Sequence, residues 1–158
     1  MADIFNQDFQ EYIELLNQYE VEYMLVGGMA VNIYGYRRST GYMDLFVNPT
    51  LENHRKMKLV HQDFGMFMGE MEDVESFINN DEFDVFTFGI SPIQIDIMTY
   101  CKGIEFEDAQ KHIVITEIDD LKIKVISKEY LIKAKRASNR KRDLADIEEL
   151  QKISKRNK

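Results

Sequence analysis

A single cysteine, Cys101, rules out an internal disulfide and a cysteine-based zinc site. A lone thiol suits a reducing compartment, and the cytoplasm is the expected location. There are only two prolines, and both fall at breaks between apolar stretches: Asn48-Pro49 and the run Gly89 to Pro92. No apolar run approaches the roughly 18 residues of a membrane span; Tyr23 to Val31 is among the longest. The opening residues, Met1 to Asn6, are acidic and polar, so no signal peptide is expected. Neither a repeat, a low-complexity stretch nor a Gly/Ser linker interrupts the chain, so one domain is expected over residues 1–158. At 44% apolar and 30% charged, the composition excludes global disorder. The length supports a core without a metal or disulfide staple.

Charge is present in quantity and unevenly placed. The net charge is −8, but residues 1–121 carry 7 Lys and Arg against 23 Asp and Glu, and residues 122–158 carry 13 against 5. An acidic body with a basic end has two readings. One is a pair of solvated basic helices lying on their own acidic body. The other is a contact with phosphate or nucleic acid. The acidic body argues against broad nucleic-acid affinity.

Periodicity supplies the elements. Ile4, Phe5, Phe9, Tyr12, Ile13, Leu16 and Tyr19 share one helical face, which predicts a helix over Asp3 to Tyr19. Strands are expected at Val21 to Val26, Met43 to Val47, Phe83 to Phe88, Ile93 to Thr99, Ile113 to Ile118 and Leu121 to Ile126. Helices are expected at Met29 to Tyr34, from Thr50 to about Asp63 with Gly65 past its end, at Glu72 to Ile78 and at Glu105 to Lys111. C-terminal helices are expected from about residue 127: Ser127 caps one through about Ala137, and the last spans about Lys141 to Ile153. The order gives an α+β or mixed α/β layered fold rather than a regular doubly wound one.

The chemistry concentrates in two places. Leu25-Val26 runs into Gly27-Gly28 and then a helix. That geometry lets backbone N–H groups approach a phosphate, although a double glycine alone is also an ordinary tight turn. Alternation then places Tyr42, Asp44 and Phe46 on one side of the next strand. About fifty residues on, Ile95-Asp96-Ile97 again sets a carboxylate inside an apolar strand. Such a carboxylate is costly to bury unless paired, hydrogen-bonded or metal-bound. Each alone reads as a strand-end aspartate bonded to a turn; together with the glycines they suggest a shared magnesium site.

These residues resemble a family. Gly27-Gly28, thirteen intervening residues, Tyr42-Met43-Asp44-Leu45 and the later Ile95-Asp96-Ile97 are similar to the polymerase-β type of nucleotidyltransferase. The form Val-Gly-Gly-x-Ala-Val, and the run from Lys133 to Ile147, resemble small stand-alone bacterial members related to abortive-infection toxin nucleotidyltransferases. The resemblance covers roughly residues 20–150 and implies an α+β nucleotidyltransferase fold, a mixed β-sheet flanked by helices. It implies magnesium on Asp44 and Asp96, and nucleotide phosphates near Gly27, Gly28, Arg38 and Lys133. It further implies transfer of a nucleotidyl group from a nucleoside triphosphate to a hydroxyl of a protein, RNA or small molecule, with Asp96 preparing the acceptor. No membrane is implied.

One departure stands out: Tyr42 occupies the place of the family's first aspartate. A neutral phenol is a poor magnesium ligand at pH 7. The chain is then a weak or inactive member, or position 42 was changed deliberately, or another carboxylate substitutes. A catalyst, a nucleotide- or partner-binding module without turnover, and a toxin–antitoxin component acting through a protein partner therefore all stand.

Other residues carry a structural expectation. Arg140 and Asp143 are expected to pair at a helix start. His54, His61 and His112 lack ligand spacing and are expected on helix or strand surfaces. Phenylalanines and methionines from Phe64 to Phe88 read as core or as an interaction patch.

Overall fold

The computed structural model describes residues 6–36, 41–79, 85–90 and 93–156. In chain order the elements are α1 (Gln7–Gln18), β1 (Tyr23–Val26), α2 (Gly27–Ile33), β2 (Tyr42–Val47) and α3 (Leu51–Phe64). A 3-10 turn (Gly69–Glu72), α4 (Val74–Ile78), β3 (Val85–Ile90) and β4 (Ile93–Met98) follow. The chain continues through α5 (Phe106–Gln110), β5 (Val114–Ile118), β6 (Leu121–Val125), α6 (Lys128–Ser138) and α7 (Lys141–Arg156).

The strands form one sheet in the order β3-β4-β2-β1-β6-β5. Sequential neighbours β1/β2, β3/β4 and β5/β6 pair antiparallel, while β2/β4 and β1/β6 pair parallel. The fold is thus mixed α+β, a six-stranded mixed sheet flanked by helices.

Register and alternation sort residues onto two faces. Leu25, Leu45, Ile97 and Phe86 lie in one row across four strands, all buried. Helices α1 and α3 cover that face: the His61 ring stands edge-on to Phe88, centroids 4.7 Å apart, and to Tyr12 at 5.5 Å. The other face carries the row Val26, Asp44, Asp96 and Thr87. There Phe46 packs edge-on against Phe106 of α5 at 5.2 Å.

Local chemistry places the helix ends. Asn6, Thr50 and Ser127 each accept a backbone N–H three residues on, at the starts of α1, α3 and α6. Gly65 closes α3 in the left-handed region, as expected of a C-terminal glycine. Asp119 and Asp120 both take positive φ, 51° and 67°, the two-residue turn whose twist suits a hairpin.

Some expectations are corrected. The helix expected to begin at Met29 begins at Gly27, so the glycines form its first turn rather than a loop before it. The segment expected as one helix from Glu72 splits at Asp73 into the 3-10 turn and α4. Asp3, Ile4 and Phe5 of the expected first helix, and Phe83 and Asp84 of the expected third strand, lie outside the described residues.

His54 and His61 are buried, not on the surface. They share the apolar face of α3 with Met57 and Val60, at the helical spacing of a core stripe. Each is satisfied. His54 Nε2 lies 2.9 Å from the Met71 carbonyl. His61 Nδ1 donates to the Phe67 carbonyl at 3.3 Å, leaving Nε2 to accept from Tyr12 Oη at 2.6 Å. That is a neutral imidazole, and burial accordingly lowers the His61 pKa against the pull of its backbone partners. His112 is exposed and stacks on Tyr130. Of the apolar residues after Phe64, Met68, Met71, Phe77, Phe86 and Phe88 are core, whereas Phe67 is 94% exposed.

Candidate functional site

Parallel pairing of β2 and β4 sets Asp44 directly opposite Asp96. Direct partners share a sheet face, so the two carboxylates meet there and hydrogen-bond to each other. Gln94 Nε2 donates to Asp96 Oδ1 at 2.9 Å and orients it. The Asp44 pKa is pushed up to about 7. Burial is the first cause and the Asp96 charge and hydrogen bond follow, while Lys135 and Arg140 pull the other way. Asp44 therefore keeps its proton until the pH approaches neutrality.

Gly27 makes room for this pair. A Cβ built on Gly27 would lie 2.1 Å from Asp44 Oδ2 and 2.9 Å from its Cβ and Cγ. The residue also sits at φ +68°, where an L side chain is strained. Val26, the residue before α2, makes no side-chain cap bond to the first N–H groups of that helix. Gly28 is buried. Gly27→Ala should therefore destabilise the fold by about 2–3 kcal/mol. Adding Asp44→Ala should return part of that loss, because the closest clash is with Oδ2. Urea denaturation of the two single variants and the double variant checks this; strictly additive losses would refute the contact.

From the helical layer comes a lysine that the sequence reading did not single out. Lys135 of α6 is buried. Its Nζ lies 2.9 Å from Asp146 Oδ2 and 3.5 Å from Asp143 Oδ1 of α7. Its charge also reaches Asp44, and it opposes the burial that pushes the Cys101 thiol up to about 11. Arg140 pairs with Asp143, Nε to Oδ2 at 2.9 Å, the helix-start pair expected from the sequence. Burial pushes the Asp143 carboxyl up, but the Arg140 bond and the Arg140 and Lys135 charges outweigh it and hold it low. Lys133 is exposed, with its ammonium 5.4 Å from the centroid of the Tyr130 ring. Arg38 lies outside the described residues.

Tyr42 opens β2 two residues before Asp44 on the same face, opposite Gln94, and is 45% exposed. The position that the resemblance gives to a first aspartate thus carries a half-exposed phenol.

Does this set suit magnesium? Among the described residues no group of three or more His, Cys, Asp or Glu is arranged to hold a metal. Magnesium, however, is commonly bound by one or two carboxylates, with water and phosphate oxygens completing its shell. Asp44 and Asp96 fit one such ion. Among the described residues, Lys135 and Arg140 both act on Asp44, Lys135 also bridges Asp143 and Asp146, and Arg140 pairs with Asp143.

Lys135 had a signal in the sequence: it lies four residues after Leu131, which marks the inward face of α6. Gln94 had none beyond its place in the strand. No family model and no curated protein matches the chain. Among the described residues, no helix is long and apolar enough to cross a membrane.

Proposed function

We propose that the chain has the polymerase-β type of nucleotidyltransferase fold and binds a nucleoside triphosphate with magnesium over the Asp44–Asp96 pair. Slow nucleotidyl transfer to an acceptor hydroxyl follows. The observation that carries this is the facing of Asp44 and Asp96 across adjacent strands, in a space that exists only because residue 27 has no side chain.

Asp44 and Asp96 would hold the ion, which supplies positive charge to the phosphates. The N–H groups at the start of α2 offer donors to phosphate oxygens. The Lys135 ammonium acts on Asp44 while Asp143 and Asp146 hold it in place. Asp96 takes the proton of the acceptor hydroxyl. The acceptor oxygen forms a bond to the α-phosphorus, the α–β bridging bond breaks, and pyrophosphate leaves.

Tyr42 favours a second reading, binding without turnover, because among the described residues two carboxylates, not three, stand together there. Calorimetric titration of nucleoside triphosphates with magnesium and with chelator tests the binding shared by both readings. No magnesium-dependent heat with any nucleotide would sink both.

Tyr42→Asp then separates them. Restoring a carboxylate two residues before Asp44 should raise transfer from labelled triphosphate at least ~10-fold, because developing phosphoryl charge meets more positive charge. Tyr42→Ala, which opens the same space without charge, should leave transfer near its starting level. Brisk turnover by the unmodified chain, with no gain from Tyr42→Asp, would instead assign the missing ligand to another acid.

A further inference from the structure

We infer that β5, the strand at one edge of the sheet, pairs antiparallel with β5 of a second copy of this chain and joins two sheets into one across a dyad at Thr116.

Strand edges left open to water usually carry lysine, proline or a bulge that blocks pairing. β5 reads Val-Ile-Thr-Glu-Ile, without lysine or proline. Val114 and Ile115 are 43% and 60% exposed, on opposite faces of the strand. The Asp119-Asp120 turn makes Ile118 and Leu121 the pair that exchanges hydrogen bonds next to the loop. Alternation then aims the N–H and C=O groups of Thr116 and Val114 toward β6, and those of Ile115 and Glu117 outward.

This edge is complementary to itself. With Thr116 opposite Thr116 of the second copy, Ile115 falls opposite Glu117, and both are outward-facing residues that exchange N–H···O=C bonds. Val114 meets Ile118, so the whole strand is used. Glu117 already faces Lys122 on β6 of its own chain, which answers its charge. Beyond the strand ends, Lys111-His112 of one copy reaches the Asp119-Asp120 turn of the other, with opposite charges at both ends of the interface. Moving the register one residue per strand toward the turn sets Glu117 against Glu117; moving it the other way leaves Ile118 unmatched. An isologous dyad at Thr116 avoids both. It forms whether or not the carboxylate pair binds nucleotide.

Sedimentation velocity across a concentration series tests the proposal. The intact chain should run as a dimer that dissociates on dilution. Ile115→Pro removes an outward N–H and no bond to β6, so it should weaken the dimer at least ~10-fold. Should proline unfold the hairpin, Ile115→Lys, at an exposed position, should weaken the dimer while circular dichroism stays unchanged. In a Cys101→Ser background, Thr116→Cys should cross-link on oxidation, because the Cα atoms of such a non-hydrogen-bonded pair lie about 4.5 Å apart. A chain that is monomeric at every concentration, a dimer indifferent to Ile115→Lys, or no cross-link at position 116 would each overturn the inference.

Discussion

Lys135→Met is expected to cost about 3–5 kcal/mol of stability, because it strips a buried cation from carboxylates that stay buried. Asp143 keeps Arg140, but Asp146 loses the ammonium 2.9 Å from its Oδ2 while remaining 1% exposed. Asp44 loses one of the two charges that pull its pKa down. Lys133→Met is the control: that side chain is exposed, and its loss should stay within about 0.5 kcal/mol. Lys135→Met with Asp146→Leu replaces the pair by apolar groups and should recover most of the loss. Urea denaturation of the four proteins at pH 7 measures this. A loss below 1 kcal/mol for Lys135→Met would mean that groups other than the lysine compensate Asp146.

The contrast between Lys133 and Lys135 shows where sequence reading stops. Strand alternation is strict: every second residue shares a face, so one carboxylate in each of two apolar strands put Asp44 and Asp96 on facing positions once the strands were adjacent and in register. Which strands lie side by side is a long-range fact, and the parallel β2/β4 pairing across the chain supplies it. On α6 the basic residues Lys133, Lys135 and Arg136 are close in sequence but point in different directions. Resemblance favoured Lys133. The burial of Leu131, one helical turn before Lys135, marks the inward face instead. His54 and His61 lie seven residues apart in the same stripe as Met57 and Val60. The periodicity that identifies a core face was therefore present, and histidine's polarity masked it until Met71, Phe67 and Tyr12 were seen to supply partners. The double glycine was legible as a turn, but not its reason. Only the position of Asp44 shows why residue 27 has no Cβ.

Asp44→Asn is expected to stabilise the metal-free protein in alkaline solution and to do nothing for it in acid. The sign follows from linkage. The Asp44 pKa rises from 3.8 to about 7 on folding, so the native state holds its proton more tightly than the unfolded chain. A carboxyl of this kind contributes fully below its unfolded value, and that contribution is lost as pH rises through the folded value. Above pH 7 the native protein carries an ionised Asp44 that burial and Asp96 both oppose. At 1.36 kcal/mol per unit, the shift sets a ceiling of about 4 kcal/mol. Asparagine is neutral at every pH and still donates an N–H toward Asp96, so a gain of about 1–3 kcal/mol is expected at pH 8, vanishing below about pH 4. Magnesium should reverse the order. The ion stabilises only a chain that binds it, by an amount that grows with its concentration over Kd, so the unmodified protein should gain and Asp44→Asn should not. Thermal melts from pH 4 to 8, with chelator and with magnesium, read both effects. If Asp44→Asn is the less stable protein at pH 8 in chelator, the carboxylate is not under strain, and the site has no stored electrostatic cost for a cation to relieve.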